Sequence, residues 1–219
     1  MIEIIISYRE AFLQGLLVTL KLSLTIWSLG LILGGAIGIL ETKWKKSIGM
    51  LSRALAFIIS GIPVLVFLFW LHYPLQALAG VVIDPFYTAA LTLTIVNVFA
   101  VAGIVRHGIS ELPSQYIETA RVCGLRPYKI LRRVQLPMVL RHIIPSLLET
   151  QVNMLHLTLF ASLISVNEIF RMAQRVNAIV YKPVEVYSAL GMFFLLVCLP
   201  LNGLALYLKQ KFSRDISEK

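Results

Sequence analysis

Glu149, Asn153 and His156 stand four and then three residues apart inside a long apolar run, a spacing that puts a carboxylate, an amide and an imidazole on one face of a helix. Ionisable groups at membrane depth are costly and as a rule face a bundle interior or a wet cavity. Two readings follow: the face lines a path for a polar solute, or its groups satisfy one another and neighbouring helices, as polar contacts between spans commonly do. The remaining reactive side chains do not converge. His72, His107 and His142 sit alone at the ends of apolar runs, no two with metal-ligand spacing, so they read as interfacial side chains and no metal site is expected. Cys123 falls in a basic stretch and Cys198 in an apolar one, which is neither a disulfide pattern nor a metal motif. No nucleophile–base pair and no Gly-x-x-x-x-Gly-Lys-Ser/Thr phosphate loop can be placed. The chain is therefore not expected to be an enzyme, to hydrolyse ATP or to hold a cofactor.

The elements that must position the polar face are hydrophobic helices. Of 219 residues, 58% are hydrophobic and only 14% charged, where a soluble domain has about a quarter charged. The apolar residues arrive in long uncharged runs rather than in an amphipathic pattern, and the mean hydropathy is +0.82, so the solvent is lipid. Five runs approach the roughly 20 residues a spanning helix needs: Leu16–Leu40, Ala54–Leu71 with room to extend, Pro85–Val105, Ile143–Ser165 and Val186–Leu208. The first is too long for a signal-peptide core and lacks a small-residue cleavage site, so it reads as a retained helix. Pro63 bends the second, since proline removes a backbone donor and crowds the preceding turn. Gly30, Gly34 and Gly38, with Gly35 beside them, let another helix approach the first run closely. Lys21 can snorkel to the interface on its long stem. The expected fold is all-α: one polytopic transmembrane domain over residues 1–219, of about five helices.

Charge gives the orientation. Lys43, Lys45, Lys46 and Arg53 lie between runs one and two; Arg106, Arg121, Arg126, Lys129, Arg132, Arg133 and Arg141 lie between three and four; Lys209, Lys211, Arg214 and Lys219 follow the last. The complementary regions carry few cations, so the three basic regions are expected in the cytoplasm, with the N-terminus outside and the C-terminus inside. The formal charge of +9 flanks spans in this way, and no nucleic-acid partner is expected.

The loop at about 107–141 carries the most information. Ser114 can cap a helix running to Cys123, and Gly124 stands where a left-handed terminating residue belongs. A second helix can begin at Pro127, with Pro137 ending it, which makes a short cytoplasmic helix–turn–helix. A hydrophobic span follows at once, so this hairpin cannot enter a DNA groove.

Within the hairpin, Glu118-Thr119-Ala120, then Gly124 four residues after the alanine, then Leu136-Pro137, resembles the cytoplasmic signature of bacterial ABC importer permeases, in which Glu-Ala-Ala precedes a spaced Gly and a later Leu-Pro. The rest of the chain is similar to the polar amino acid uptake branch of that family (histidine, glutamine and arginine type). The matching stretches are Gly15-Leu-Leu-Val-Thr-Leu-Lys-Leu-Ser, Gly61-Ile-Pro63, Ile104-Val-Arg106 and Pro183-Val-Glu-Val-Tyr187. It departs where relatives often carry Lys-Asp in place of His156-Leu157, and an acidic residue in place of Gly103.

The resemblance implies a type I ABC importer permease in the inner (plasma) membrane of a bacterial cell. Such a subunit moves a polar amino acid inward by alternating access. It implies cytoplasmic ABC ATPase subunits, a second permease subunit (the same or homologous) and an extracytoplasmic substrate-binding protein as partners, with lipid around them. It also implies that Glu118, Ala120, Gly124, Leu136 and Pro137 form the ATPase-coupling element, whose first helix docks in a cleft of the ATPase. The outward region around Glu168, Arg171, Arg175 and Lys182 could meet the binding protein, although a solvated charged loop explains it more simply. A competitor from another class, an ATP-independent channel or secondary carrier, would need a pore ring or inverted repeats, and five spans do not halve evenly.

Overall fold

A computed structural model describes residues 2–217, with side chains at 3–212; the side chain of Arg214 and all of Lys219 lie outside the described residues. Its helices are α1 (Ile2–Ser7), α2 (Arg9–Lys43), α3 (Ile48–Ser60), α4 (Val64–His72), α5 (Pro74–Ala79), α6 (Pro85–Ser110), α7 (Ser114–Val122), α8 (Pro127–Ile130), α9 (Leu136–Leu157), α10 (Ile169–Val180) and α11 (Pro183–Ser217). No strand forms among them. The first run becomes α2, whose buried residues are Gly15, Thr19, Leu22, Ser23, Ile26, Gly30, Gly34, Gly38 and Glu41, one small-residue stripe along the helix. Its Gly30, Gly34 and Gly38 lie against α6. A Cβ on Gly34 would stand 2.6 Å from the Val98 carbonyl, and one on Gly38 would stand 2.7 Å from that of Ala102. Only glycine lets the two backbones come this near, the close approach anticipated for this spacing.

The second run is broken. α3 and α4 meet at Gly61-Ile62-Pro63 with a bend of 96°, because proline cannot continue the ladder of the preceding turn. The third run is α6, opened by Asp84, whose Oδ1 accepts from the Phe86 N–H at 2.8 Å ahead of Pro85. It is the centre of the bundle: 61% of its most apolar window is buried, against 17% for α11.

The fourth run departs from expectation at its start. Pro137 does not end a helix. From Pro127 to Ile164 the chain is one helical rod of 38 residues, with a wide π-helical turn at Leu131–Gln135 just before Pro137. The wider turn accommodates a ring that would otherwise strike the carbonyl four residues earlier. The rod closes in a tight 3₁₀ segment at Thr158–Ile164, and Ser165 reverses the chain with φ +73°.

Polar side chains fasten the bundle at three depths. Asn97 Nδ2, in mid-α6, donates to the Ile26 carbonyl of α2 and to Gln151 Oε1 of α9, both at 3.0 Å. Near the hairpin end, buried Glu41 lies 3.0 Å from Arg106 Nε and accepts from Ser52 Oγ at 2.6 Å, joining α2, α3 and α6. At the opposite end, Ile169 N–H donates to Thr19 Oγ1 at 3.0 Å where α10 crosses α2, and a Cβ on Gly15 would stand 2.9 Å from the Ile169 Cα. Each uses a group whose hydrogen-bonding capacity lipid cannot satisfy.

Candidate functional site

The hairpin grows from the end of α6. Glu111 caps α6, Leu112 and Pro113 turn the chain, and α7 follows. Ser114 is the first residue of α7, not its cap, and its side chain caps nothing; Pro113 holds that position in extended backbone, which starts the helix by fixing φ instead of by accepting a bond. The other end of α7 is as expected. Gly124 has φ +74°, its N–H donates to the Arg121 carbonyl at 2.9 Å, and Leu125 N–H donates to the Ala120 carbonyl at 3.1 Å. This pair of bonds is the Schellman arrangement that closes a helix on a left-handed residue.

Ala120 turns inward and is buried, as is Ile130 on α8, while Glu118, Arg121, Val122, Cys123 and Gly124 are exposed. Val122 in particular is 88% exposed, an apolar tip on a charged hairpin. Leu136 is exposed and Pro137 half-buried, at the start of α9 rather than in the hairpin turn. The five signature residues thus fall into two groups: Glu118, Ala120 and Gly124 on the projecting arm, and Leu136 with Pro137 where the rod enters the bundle.

Glu149, Asn153 and His156 do share one face of α9, and all three are exposed; the opposite face buries Gln151, Val152, Met154 and Leu155. Among the described residues, none of the three forms a hydrogen bond or ion pair with another side chain. Ring contact at 6.1 Å links His156 to Phe194 of α11. Mutual satisfaction, the second reading of this face, is therefore not what this chain does alone. The spacing continues through Ser146 to His142, also exposed, where Nε2 of the imidazole meets Glu111 Oε2 at 2.8 Å. A cavity of about 790 Å³ opens there, lined by Gly103, His107, Glu111, His142, Ser146 and Lys209 among others.

Glu168 is not part of a solvated loop. It has no exposed surface, and it caps α10 by accepting from Phe170 N–H at 2.9 Å and Arg171 N–H at 2.7 Å. Burial pushes its carboxyl up to about 7, while those two amides and the Arg171 guanidinium pull it down. Arg171 itself turns back to donate to the Ser162 carbonyl at 3.0 Å. Sequence reading also passed over Asn97, Gln151 and Glu41. The signal available was an amide or carboxylate within or at the edge of an apolar run, which lipid leaves unsatisfied without a partner.

A bundle of apolar helices, one of them broken, with a projecting hairpin between its third and fourth spans is the architecture of a polytopic integral membrane protein. Residues 27–214 match the family described as binding-protein-dependent transport system inner membrane component, and the chain belongs to that family. It is similar to the glutamine transport system permease protein GlnP of Escherichia coli, 30% identical over 83% of this chain and 85% of that one. It is also similar to the octopine transport system permease protein OccM of Rhizobium meliloti, 29% identical over 84% and 79% of the two chains. The histidine/lysine/arginine/ornithine transport system permease protein HisQ of Escherichia coli is 24% identical over 94% and 95%. Among solved structures, an amino acid ABC transporter with histidines superposes at a TM-score of 0.83 with 25% identity, covering 94% of this chain and 96% of that one. The MetNI methionine ABC transporter in an inward-facing conformation shares the fold at a TM-score of 0.70.

Proposed function

We propose that this permease subunit carries a polar amino acid into the cell along the Glu149, Asn153 and His156 face of α9. It does so paired with a second permease subunit, the same or homologous. The observation that carries this reading is the exposure of those three side chains at membrane depth with no hydrogen-bond or ion-pair partner among the described residues. A carboxylate facing lipid there costs about 2.5 kcal/mol or more. Facing a water-filled path between two subunits, it costs far less and is free to take a cationic group of a solute. Relatives that transport glutamine, octopine, or histidine and basic amino acids support the substrate class.

The projecting arm that carries exposed Glu118 and Gly124, with Ala120 packed on its inner side, is the part that docks on a cytoplasmic ATPase subunit, with Leu136 and Pro137 carrying its displacement into α9. A substrate-loaded binding protein delivers at the opposite end, and closure of the ATPase pair switches the bundles between outward and inward access. The basic hairpin end lies in the cytoplasm, with the N-terminus outside and the C-terminus inside.

Glu149→Gln, Asn153→Ala and His156→Ala, each in the assembled transporter and assayed with glutamine, histidine and arginine, test the path. At least one substitution is expected to raise the half-saturating solute concentration by roughly tenfold, the equivalent of one lost polar contact. Unchanged values in all three would remove α9 from the path.

A further inference from the structure

Glu111 is the residue on which α6 ends, and His142 lies in the first turns of α9, so the two are the roots of the hairpin. Their side chains meet at 2.8 Å across 31 residues of sequence. Just inside this contact the two helices are already locked together. Gly108 lies so close against Ile143 that a Cβ has no room, and Val105, Val139 and Ile143 close an apolar layer. The pair therefore sits on the rim of a rigid joint. On its other side it borders the inner cavity, into which the exposed face of α9 runs through Ser146. The same two side chains belong both to the base of the hairpin and to the mouth of the polar face.

We propose that the contact between Glu111 and His142 is a strut through which movement of the hairpin reaches the inner end of the solute path; this deepens the coupling reading above and rests on it. Both side chains are about half exposed, so the contact is weak and can break and re-form within a transport cycle. The buried contact of Glu41 with Arg106 cannot do this without stranding a charge. Nε2 can donate to the carboxylate in the neutral or the protonated imidazole, so the strut does not depend on a charge on His142. Arg141 and His107 line the same cavity and keep its mouth polar when the contact opens. Glu111 and His142 are positioning residues: they act on the path through α6 and α9.

The test uses the full transporter in proteoliposomes, with whichever of glutamine, histidine or arginine stimulates its ATPase most. Glu111→Ala and His142→Ala are compared with the exchanged pair, Glu111→His with His142→Glu. Each single variant is expected to reach the membrane at normal level and to hydrolyse ATP, while solute moved per ATP falls roughly fivefold or more, the lower end of ordinary coupling between linked sites. The exchanged pair is expected to recover most of that ratio, which an effect on folding alone would not produce. Singles with an unchanged ratio, or an exchanged pair no better than the singles, would overturn the strut. Glu111→Leu, which removes the acceptor at similar size, is read in the same way if an alanine variant is lost from the membrane. Gly124→Val separates the two levels. If it too leaves the ratio unchanged, the hairpin is not the coupling element; if it uncouples while Glu111→Ala does not, only the strut falls.

Discussion

Glu168 shows how a single carboxyl can be held at a helix start by bonds that favour its charge, inside surroundings that oppose it. The two α10 amides and Arg171 stabilise the anion, but loss of water dominates, and the carboxyl titrates at about 7 against an ordinary 4.5. The folded chain thus holds this proton more tightly than the unfolded chain. The stabilising contribution is complete below pH 4.5 and is lost as pH rises through about 7. The wild-type protein is expected to lose up to about 3 kcal/mol from this group across that window, and Glu168→Gln to lack that part of the dependence. Thermal midpoints of the two proteins in detergent, measured across the window, give the comparison. A wild-type minus variant difference that does not move with pH would contradict it.

At the scale of an element, the hairpin rests on one backbone conformation. A Cβ at Gly124 meets nothing within 4 Å, so space is not what demands glycine; φ +74° is. A side chain there costs about 1 kcal/mol or more, and a β-branched one is the least tolerant. Gly124→Val is expected to re-aim α7, and Glu118 with it, while every span still inserts. Membrane levels should stay near normal, transport should fall sharply, and ATPase activity should lose its stimulation by loaded binding protein. Normal uptake and stimulation in purified complexes would dissociate this turn from coupling. Downstream, the π-helical turn before Pro137 keeps α8 and α9 in one continuous helical segment, so the hairpin's second arm runs into the fourth span without a break.

At the scale of the whole molecule, the basic residues gather at the hairpin end, and the proposed orientation, with that end in the cytoplasm, rests on the positive-inside bias. Cys123, exposed at the tip of the hairpin, reports on this directly, whereas Cys198 is buried within α11. A membrane-impermeant thiol reagent is expected to spare Cys123 in intact cells and to label it after permeabilisation. Labelling before permeabilisation would invert the topology and remove the ATPase-docking reading with it. Cys198 provides the internal control, since packing keeps it from aqueous reagents in both conditions.

Four of the spans, the break at Pro63, the glycine face of α2 and the left-handed turn at Gly124 were all legible in the sequence. Each follows from a local rule: length of an apolar run, the missing donor of proline, or the missing Cβ of glycine. The permease family was legible too, because its signature lies in one short basic stretch. What local rules could not supply was partnership. Only the tertiary structure shows that Asn97 is answered by Gln151, that Glu41 is answered by Arg106, and that Glu149, Asn153 and His156 have no hydrogen-bond or ion-pair partner among the described residues. It also shows that Pro137 interrupts nothing, since the turn before it widens, and that Glu168 caps α10 from a buried position. A proline's effect depends on whether the preceding turn can yield, and a polar group's role depends on what stands opposite it. Both are properties of helices in contact, and a single helix read along its sequence does not contain them.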